Sequence, residues 1–128
     1  MMVTEKLKKK IEDQLNDVME QIPAIEGLIA FRAKKGEILA GQTLTELNHN
    51  EIIEYSMAIV NGASSLGKTV DKGNVSEIDI DCAEGFAVVL NSGDIALTAL
   101  AGQDARAELG LLRLNLKTAL ENIANLLK

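Results

Sequence analysis

The sequence has few of the residues from which most enzyme sites are built. Of its 128 residues only two are Phe, one is Tyr and none is Trp, and the single cysteine and single histidine are Cys82 and His49. One cysteine excludes an internal disulfide and a zinc site made of several cysteines. The scarcity of aromatic rings disfavours a base-stacking surface for single-stranded nucleic acid. We therefore expect no catalytic residues, no metal site and no cofactor.

The charge balance argues against nucleic acid and membrane partners. Thirteen basic residues face 19 acidic ones, so the net charge is −6, whereas phosphate backbones and anionic lipids attract positive surfaces. The basic start of the chain is not followed by the apolar core of a signal peptide. No apolar run reaches the roughly 18 residues of a membrane span. These features predict a cytoplasmic protein without membrane insertion.

Hydrophobic periodicity divides the chain into eight elements within one domain, residues 1–128. Apolar residues at steps of three and four predict three helices, of which the first has an apolar face from Val3 to Ile22 and is ended by Pro23. The predicted helices are Thr4–Gln21, Glu51–Thr69 and Asp104–Leu127, and the predicted strands are Gly27–Arg32, Glu37–Gly41, Glu77–Cys82, Phe86–Leu90 and Ile95–Leu100. The order α-β-β-α-β-β-β-α predicts an α+β fold in which helices sandwich an antiparallel sheet.

The predicted second helix is rich in small residues and has an uncharged outer face. An apolar stripe lies beside that outer face. The stripe contains Ser56, Ile59, Ala63 and Leu66, and the outer face contains Tyr55, Ala58, Gly62 and Ser65. An uncharged patch with an aromatic residue is typical of an interface, so we expect a second helix to approach closely here. A weakly polar solvent-exposed face is the alternative.

Residues 62–69, GASSLGKT, match the phosphate-loop pattern G-x-x-x-x-G-K-[ST]. A phosphate site of this type needs a strand before the loop and a helix N-terminus after it. Here helical periodicity precedes Gly62, and turn-forming residues and a strand follow Thr69. We expect the end of a helix, with Gly67 or Gly73 assisting its termination. A nucleotide-binding protein that uses residues 62–69 is the alternative.

Acidic and apolar residues alternate strictly along the predicted third strand. Glu77, Asp79 and Asp81 are separated by Ile78 and Ile80, a pattern that predicts one buried and one exposed face. A cation site on these carboxylates is disfavoured, because alternate strand positions lack the turn geometry of a calcium loop. We expect a solvated strand face, or one that discourages unwanted edge pairing. Cys82 follows in phase with the two isoleucines, which predicts a buried thiol.

Two stretches of sequence carry a resemblance to a known family. Residues 107–116 read AELGLLRLNL, and residues 25–31 read IEGLIAF before a glycine-containing turn. With the order of elements, they resemble the Roadblock/dynein light chain family, whose final helix opens with Leu-Gly, two apolar residues and Arg. The resemblance runs from about Thr4 to Leu127. The turn Lys34-Lys35-Gly36 departs from it, since an acidic residue is common before that glycine.

The resemblance implies an architecture and a role. The architecture is a five-stranded antiparallel sheet with the middle helix on one face and the N- and C-terminal helices on the other. The role is that of a dimeric regulator or scaffold that binds a small Ras-like GTPase and has no chemistry of its own. Stimulation of GTP hydrolysis would then depend on positioning the GTPase's own residues. A structural light chain or assembly adaptor without a GTPase partner is the alternative.

The resemblance also implies which residues form the interfaces. A homodimer, or a heterodimer with a paralogue, would form by pairing of the third strands and side-by-side packing of the middle helices. The expected dimer residues are Ser56, Ile59, Ala63, Leu66, Glu77, Ile78, Asp79 and Ile80, and the expected partner-binding residues are Tyr55, Ala58, Gly62 and Ser65. One difficulty arises, because strand pairing brings the acidic residues of two chains together, and like charges opposite each other destabilise a sheet. Either these side chains are splayed into solvent, or neighbouring lysines neutralise them, or this mode of dimerisation fails.

Overall fold

The computed structural model describes residues 4–128, which fold in the predicted order α-β-β-α-β-β-β-α. Val3, which we placed on the apolar face of the first helix, lies outside the described residues. The helices are α1 (Glu5–Gln21), α2 (His49–Thr69) and α3 (Leu109–Leu126), and the strands are β1 (Ile25–Arg32), β2 (Glu37–Thr43), β3 (Glu77–Cys82), β4 (Gly85–Ser92) and β5 (Ile95–Gly102). The α+β fold class is confirmed.

The strands form one antiparallel sheet in the order β2-β1-β5-β4-β3. The two predicted hairpin turns are present, and Gly36 and Gly93 occupy them with φ values of 67° and 60°, a conformation that glycine adopts without steric cost. β3 lies at one edge of the sheet. Within residues 4–128 it pairs with β4 alone, so the backbone groups on its outer side are open to another strand.

Helices cover the two faces of the sheet unequally. On one face α1 and α3 pack together over the larger core, which includes Leu15, Leu28 and Leu116. On the other face α2 lies over a smaller cluster of Ile29, Phe31, Ile53 and Ala96. The middle helix is therefore on one face and the terminal helices are on the other, as the resemblance implied.

Both ends of α2 are fixed by local hydrogen bonds. The Asn48 side chain caps the start by accepting from the Glu51 N–H at 3.1 Å. At the other end, the Asp71 and Lys72 N–H groups donate to the carbonyls of Lys68 and Gly67. Asp71 takes a positive φ of 58°, which completes a Schellman motif. Asp71 therefore occupies the left-handed position that ends this helix.

The last helix begins later than the sequence pattern predicts. Instead of an α-helix from Asp104, the chain forms a 3₁₀ segment over Gln103–Glu108, and α3 begins at Leu109. Glu108 interrupts the helix with φ −118° and ψ 22°. The tighter 3₁₀ turn places Ala105 in the core, which a hydrophobic pattern alone does not distinguish from an α-helical turn.

Candidate protein interfaces on the third strand and the middle helix

The acidic side chains of β3 face α3, where cations meet them. Arg113 pairs with both Glu77, at 3.2 Å between Nε and Oε2, and Asp79. Lys117, one turn further along α3, places Nζ 3.6 Å from the other oxygen of Glu77. Half of the arginine side chain or more is removed from solvent, and its Nε atom is fully buried. Two of the three strand carboxylates are therefore neutralised from within the same chain.

The third carboxylate has its own partner. Arg106, in the 3₁₀ segment, places Nη1 2.7 Å from Asp81 Oδ1 and donates from Nη2 to the Cys82 carbonyl at 2.9 Å. The arginine thereby holds both a side chain and the backbone at the end of β3. Three acidic residues and three cations thus leave the α3 side of this edge strand without net charge.

The apolar residues of β3 lie on the other face of the sheet. Ile78 is paired with Val89 and Ile80 with Ala87, and both isoleucines are only half-buried. Cys82, the next residue in phase, is exposed, so the prediction of a buried thiol is wrong. It is the last residue of an edge strand, and no element of the described chain covers its side of the sheet there. The sequence predicted correctly that Cys82 lies on the same face of the sheet as the two isoleucines, but not that this face is exposed to solvent at Cys82.

Ser56 anchors α2 to the sheet. Its hydroxyl lies 2.8 Å from the Thr98 hydroxyl of β5 and also donates to the Ile52 carbonyl at 2.8 Å. Both Ser56 and Thr98 are buried. Replacing either of them with a non-polar residue would therefore leave the hydroxyl of the other without this hydrogen-bond partner. Of the four stripe residues, Ser56 is thus the one buried within its own chain.

The remaining stripe residues lie on an open flank of α2. On the opposite flank Met57 packs against the β1–β2 turn, where a Cβ on Gly36 would lie 2.9 Å from its sulfur. Ile59 is roughly 200° further around the helix, and is 37% exposed, while Leu66 is 64% exposed and Ala63 is half-buried. This open flank, defined by Ile59, Ala63 and Leu66, is directed away from the β1–β2 turn that Met57 contacts.

The outer face of α2 is exposed, as the sequence predicts. Its four expected partner-binding residues are Tyr55, Ala58, Gly62 and Ser65, and all of them are exposed. Tyr55 is the one large side chain among them, and a Cβ added to Gly62 would meet nothing within 4 Å. The face is therefore shallow and uncharged between Glu54 and Lys68.

The phosphate-loop match does not have the geometry of a phosphate site. Residues 62–69 form the last two turns of α2, and the chain then turns into the loop before β3. Gly67 serves packing here, because a Cβ at this position would collide with the Gly73 carbonyl oxygen. A polar cleft of about 450 Å³ does adjoin Ser64 and Lys68, but backbone amides of a helix N-terminus do not line it.

Over residues 4–128, no three His, Cys, Asp or Glu side chains are grouped as metal ligands. No helix in the same range is long and apolar enough to cross a membrane.

Sequence reasoning left open that neighbouring lysines neutralise the acids of β3, as Lys117 does for Glu77, but it did not identify Arg106 and Arg113 as their partners. Arg106, Arg113 and Lys117 are separated by seven and four residues, a spacing that keeps side chains near one helical face. Three acids at alternate strand positions and three cations at helical spacing are complementary patterns. Comparing the two patterns offers a signal for this pairing that neither stretch gives alone.

No protein-family profile matches the sequence, and no curated protein matches it. Solved structures do match it over nearly their whole length. Myxococcus xanthus MglB is 16% identical with a TM-score of 0.86, covering 99% of this chain and 93% of that one. An MglB with a tetrameric arrangement is 14% identical with a TM-score of 0.88, covering 98% and 93%. A Roadblock/LC7 domain from Streptomyces avermitilis is 15% identical with a TM-score of 0.79, covering 89% and 94%.

Proposed function

We propose that this chain, which has the Roadblock/LC7 fold, forms a dimer that acts as a non-catalytic regulator or scaffold of a small Ras-like GTPase. The observation that carries the proposal is that the outer edge of β3 and one flank of α2 are both open in the described chain. An unpaired strand edge is a template for a further strand, and a self-complementary patch is what a two-fold dimer requires. A second copy of the chain would supply both the further strand and the matching patch.

The ion pairs on β3 support pairing of two such edges. Glu77, Asp79 and Asp81 from two chains would bring six carboxylates together, and like charges opposite each other destabilise a sheet. Each chain supplies its own counterions from Arg106, Arg113 and Lys117. These ion pairs within each chain would reduce the repulsion between carboxylates when the two strands meet. The strand can therefore keep its alternating acidic and apolar residues and still pair.

The open flank supports packing of the middle helices in the same dimer. Ile59 and Leu66 supply exposed apolar area, and Ala63 lets a neighbouring backbone approach closely. Ile78 and Ile80 are half-buried on the same face, so they would lose further exposed surface in the dimer. Each buried apolar Å² contributes about 25 cal/mol. The MglB structure with a tetrameric arrangement indicates that this fold can assemble further.

The outer face of α2 is the proposed contact for the GTPase. Tyr55, Ala58, Gly62 and Ser65 are exposed and uncharged, and the family resemblance gives the partner class. The chain contains three arginines, Arg32, Arg106 and Arg113, and each is held in an internal ion pair. An arginine finger is therefore not presented. Regulation would act by positioning the GTPase's own residues.

The test is binding and GTP turnover with small GTPases encoded in the same genome. We expect one of them to co-elute with the wild-type chain and to lose binding to Ala58→Arg, which adds bulk and charge to the outer face. Leu114→Arg, on the opposite side of the sheet, is the matched control and should still bind. A stable dimer that binds none of these GTPases would contradict the proposal and favour the adaptor alternative.

A further inference from the structure

We infer that an apolar patch at the N-terminal end of α2 binds a protein segment that combines apolar with basic side chains. The patch, here called the Leu47 patch, contains Leu44, Leu47 and Tyr55, which are 67%, 44% and 63% exposed. Exposed large apolar residues that adjoin one another are typical of interaction sites. The inference does not depend on the identity of the partner as a GTPase or on the dimer.

The patch is a shaped surface with two adjoining clefts. One cleft of about 200 Å³ lies between Glu26, Leu44, Leu47 and Leu100. A second, of about 320 Å³, lies between Leu47, Leu100 and Tyr55. Leu47 and Leu100 line both clefts. A partner can therefore place apolar side chains on both sides of Leu47 while burying that residue at the centre of the contact.

The loop that carries the patch is held in place by hydrogen bonds. The Thr43 hydroxyl donates to the Thr45 carbonyl at 2.7 Å and lies 3.2 Å from Nε2 of His49. Asn48 caps α2 directly after Leu47. Because these bonds already fix the chain around the leucine, little conformational entropy remains to be lost when a partner binds.

The rim of the patch is acidic and carries no local counterion. Residues 38–67 contain three glutamates and no lysine or arginine, and Glu26 and Glu51 line the two clefts. In the described chain Glu26, Glu46, Glu51 and Glu54 take part in no ion pair, whereas all three acids of β3 do. The Leu47 patch therefore presents an unneutralised negative rim around an apolar centre.

This charge pattern selects the occupant. A second copy of the patch would bring two acidic rims together, and an anionic lipid surface would be repelled in the same way. A protein segment with apolar side chains such as leucine, flanked by lysine or arginine, complements both the apolar centre and the acidic rim of the patch. Its charges would accelerate association, and the buried leucines would slow dissociation.

The experiment uses fluorescence anisotropy with two labelled 18-residue amphipathic helices, one of Leu and Lys and one of Leu and Glu. We expect the Leu–Lys peptide to bind and the Leu–Glu peptide not to bind. The double variant Leu44→Ser and Leu47→Ser should weaken binding at least tenfold although the net charge is unchanged. Leu111→Ser with Leu114→Ser removes two leucines of similar exposure from α3 and should change binding less than twofold.

Three outcomes would overturn the inference. The first is equal weakening by both double variants, which indicates non-specific attraction to an acidic protein. The second is binding of the Leu–Glu peptide, and the third is binding of the wild-type chain to phosphatidylserine vesicles. Thermal unfolding and sedimentation of each variant show that fold and assembly are retained, so failure here remains distinct from failure of the proposed dimer or GTPase function.

Discussion

The guanidinium of Arg113 on α3 bridges two carboxylates of the edge strand β3, with Nε 3.2 Å from Oε2 of Glu77 and the terminal nitrogen on Asp79. The arginine therefore joins the helix layer to the strand that the proposed dimer uses. Removing it leaves two carboxylates without their main partner at the place where a second copy of both would approach.

We predict that Arg113→Ala weakens the dimer in a salt-dependent manner. Exposed ion pairs contribute about 0–1 kcal/mol each, and a two-fold seam contains every pair twice. The expected rise in dimer dissociation constant is roughly tenfold at low ionic strength, and it should shrink in added salt as the carboxylates are screened. Sedimentation velocity at two salt concentrations measures both effects.

A rescue and a control accompany that variant. Adding Asp79→Asn to Arg113→Ala removes one unpaired carboxylate and should restore part of the affinity. Lys9→Ala breaks the surface pair between Lys9 and Asp13 on α1, away from β3, and should leave the dissociation constant unchanged. Equal dissociation constants for Arg113→Ala and the wild type would show that the α3 cations do not support assembly.

A charge on the open flank of α2 should separate the protomers. Leu66→Glu places a carboxylate where two apolar flanks are proposed to meet, so burial would require its desolvation. We expect a shift from dimer to monomer at micromolar concentration in size-exclusion chromatography with light scattering. Leu114→Glu introduces the same change at an equally exposed leucine of α3 and should remain dimeric. Monomer formation by both variants would argue against a specific flank.

The buried hydroxyl pair of Ser56 and Thr98 should behave as a coupled unit. Ser56→Ala alone leaves the Thr98 hydroxyl unsatisfied in the core, and we expect a loss of about 1–3 kcal/mol in the free energy of unfolding. The double variant Ser56→Ala and Thr98→Val replaces both hydroxyls and should lose less than the sum of the single losses. Urea denaturation of the wild type, Ser56→Ala, Thr98→Val and the double variant measures the coupling. A loss in the double variant equal to the sum of the two single losses would contradict it.

Two glycines of the phosphate-loop match provide a matched pair. Gly67→Ala forces a methyl group against the Gly73 carbonyl, whereas Gly62→Ala meets open space. We expect Gly67→Ala to destabilise the chain, and Gly62→Ala to stabilise it by up to about 1 kcal/mol through helix propensity. Thermal unfolding of each variant measures both effects, and a Gly67→Ala variant as stable as the wild type would contradict the packing role.

The architecture was predictable because periodicity reports which side of each element is buried. The predicted bounds of β3 and the predicted last residue of α2 agree with the structure. Turn formers such as Asp71 and Gly73 lie between these two elements. The position of Cys82 was not predictable in the same way. Alternation gives the face of a strand, but whether another element covers that face depends on packing distant in sequence.

The interfaces were predictable only in part. The uncharged residues of α2 stand out because helical faces in solvent usually carry charge, and Ile59 and Leu66 are indeed exposed. The pairing of Asp81 with Arg106 joins residues 25 positions apart, which no local pattern reports. Leu44 and Leu47 lie in a connection between elements, where there is no period against which an apolar residue appears out of place.

Two copies of this chain are proposed to assemble through β3 and the open flank of α2, and sedimentation equilibrium of the full chain measures this assembly. At micromolar concentration and physiological salt, we expect a species of twice the 13.7 kDa chain mass that dissociates when Leu66→Glu is introduced. A wild-type chain that sediments as a 13.7 kDa monomer under these conditions would contradict it.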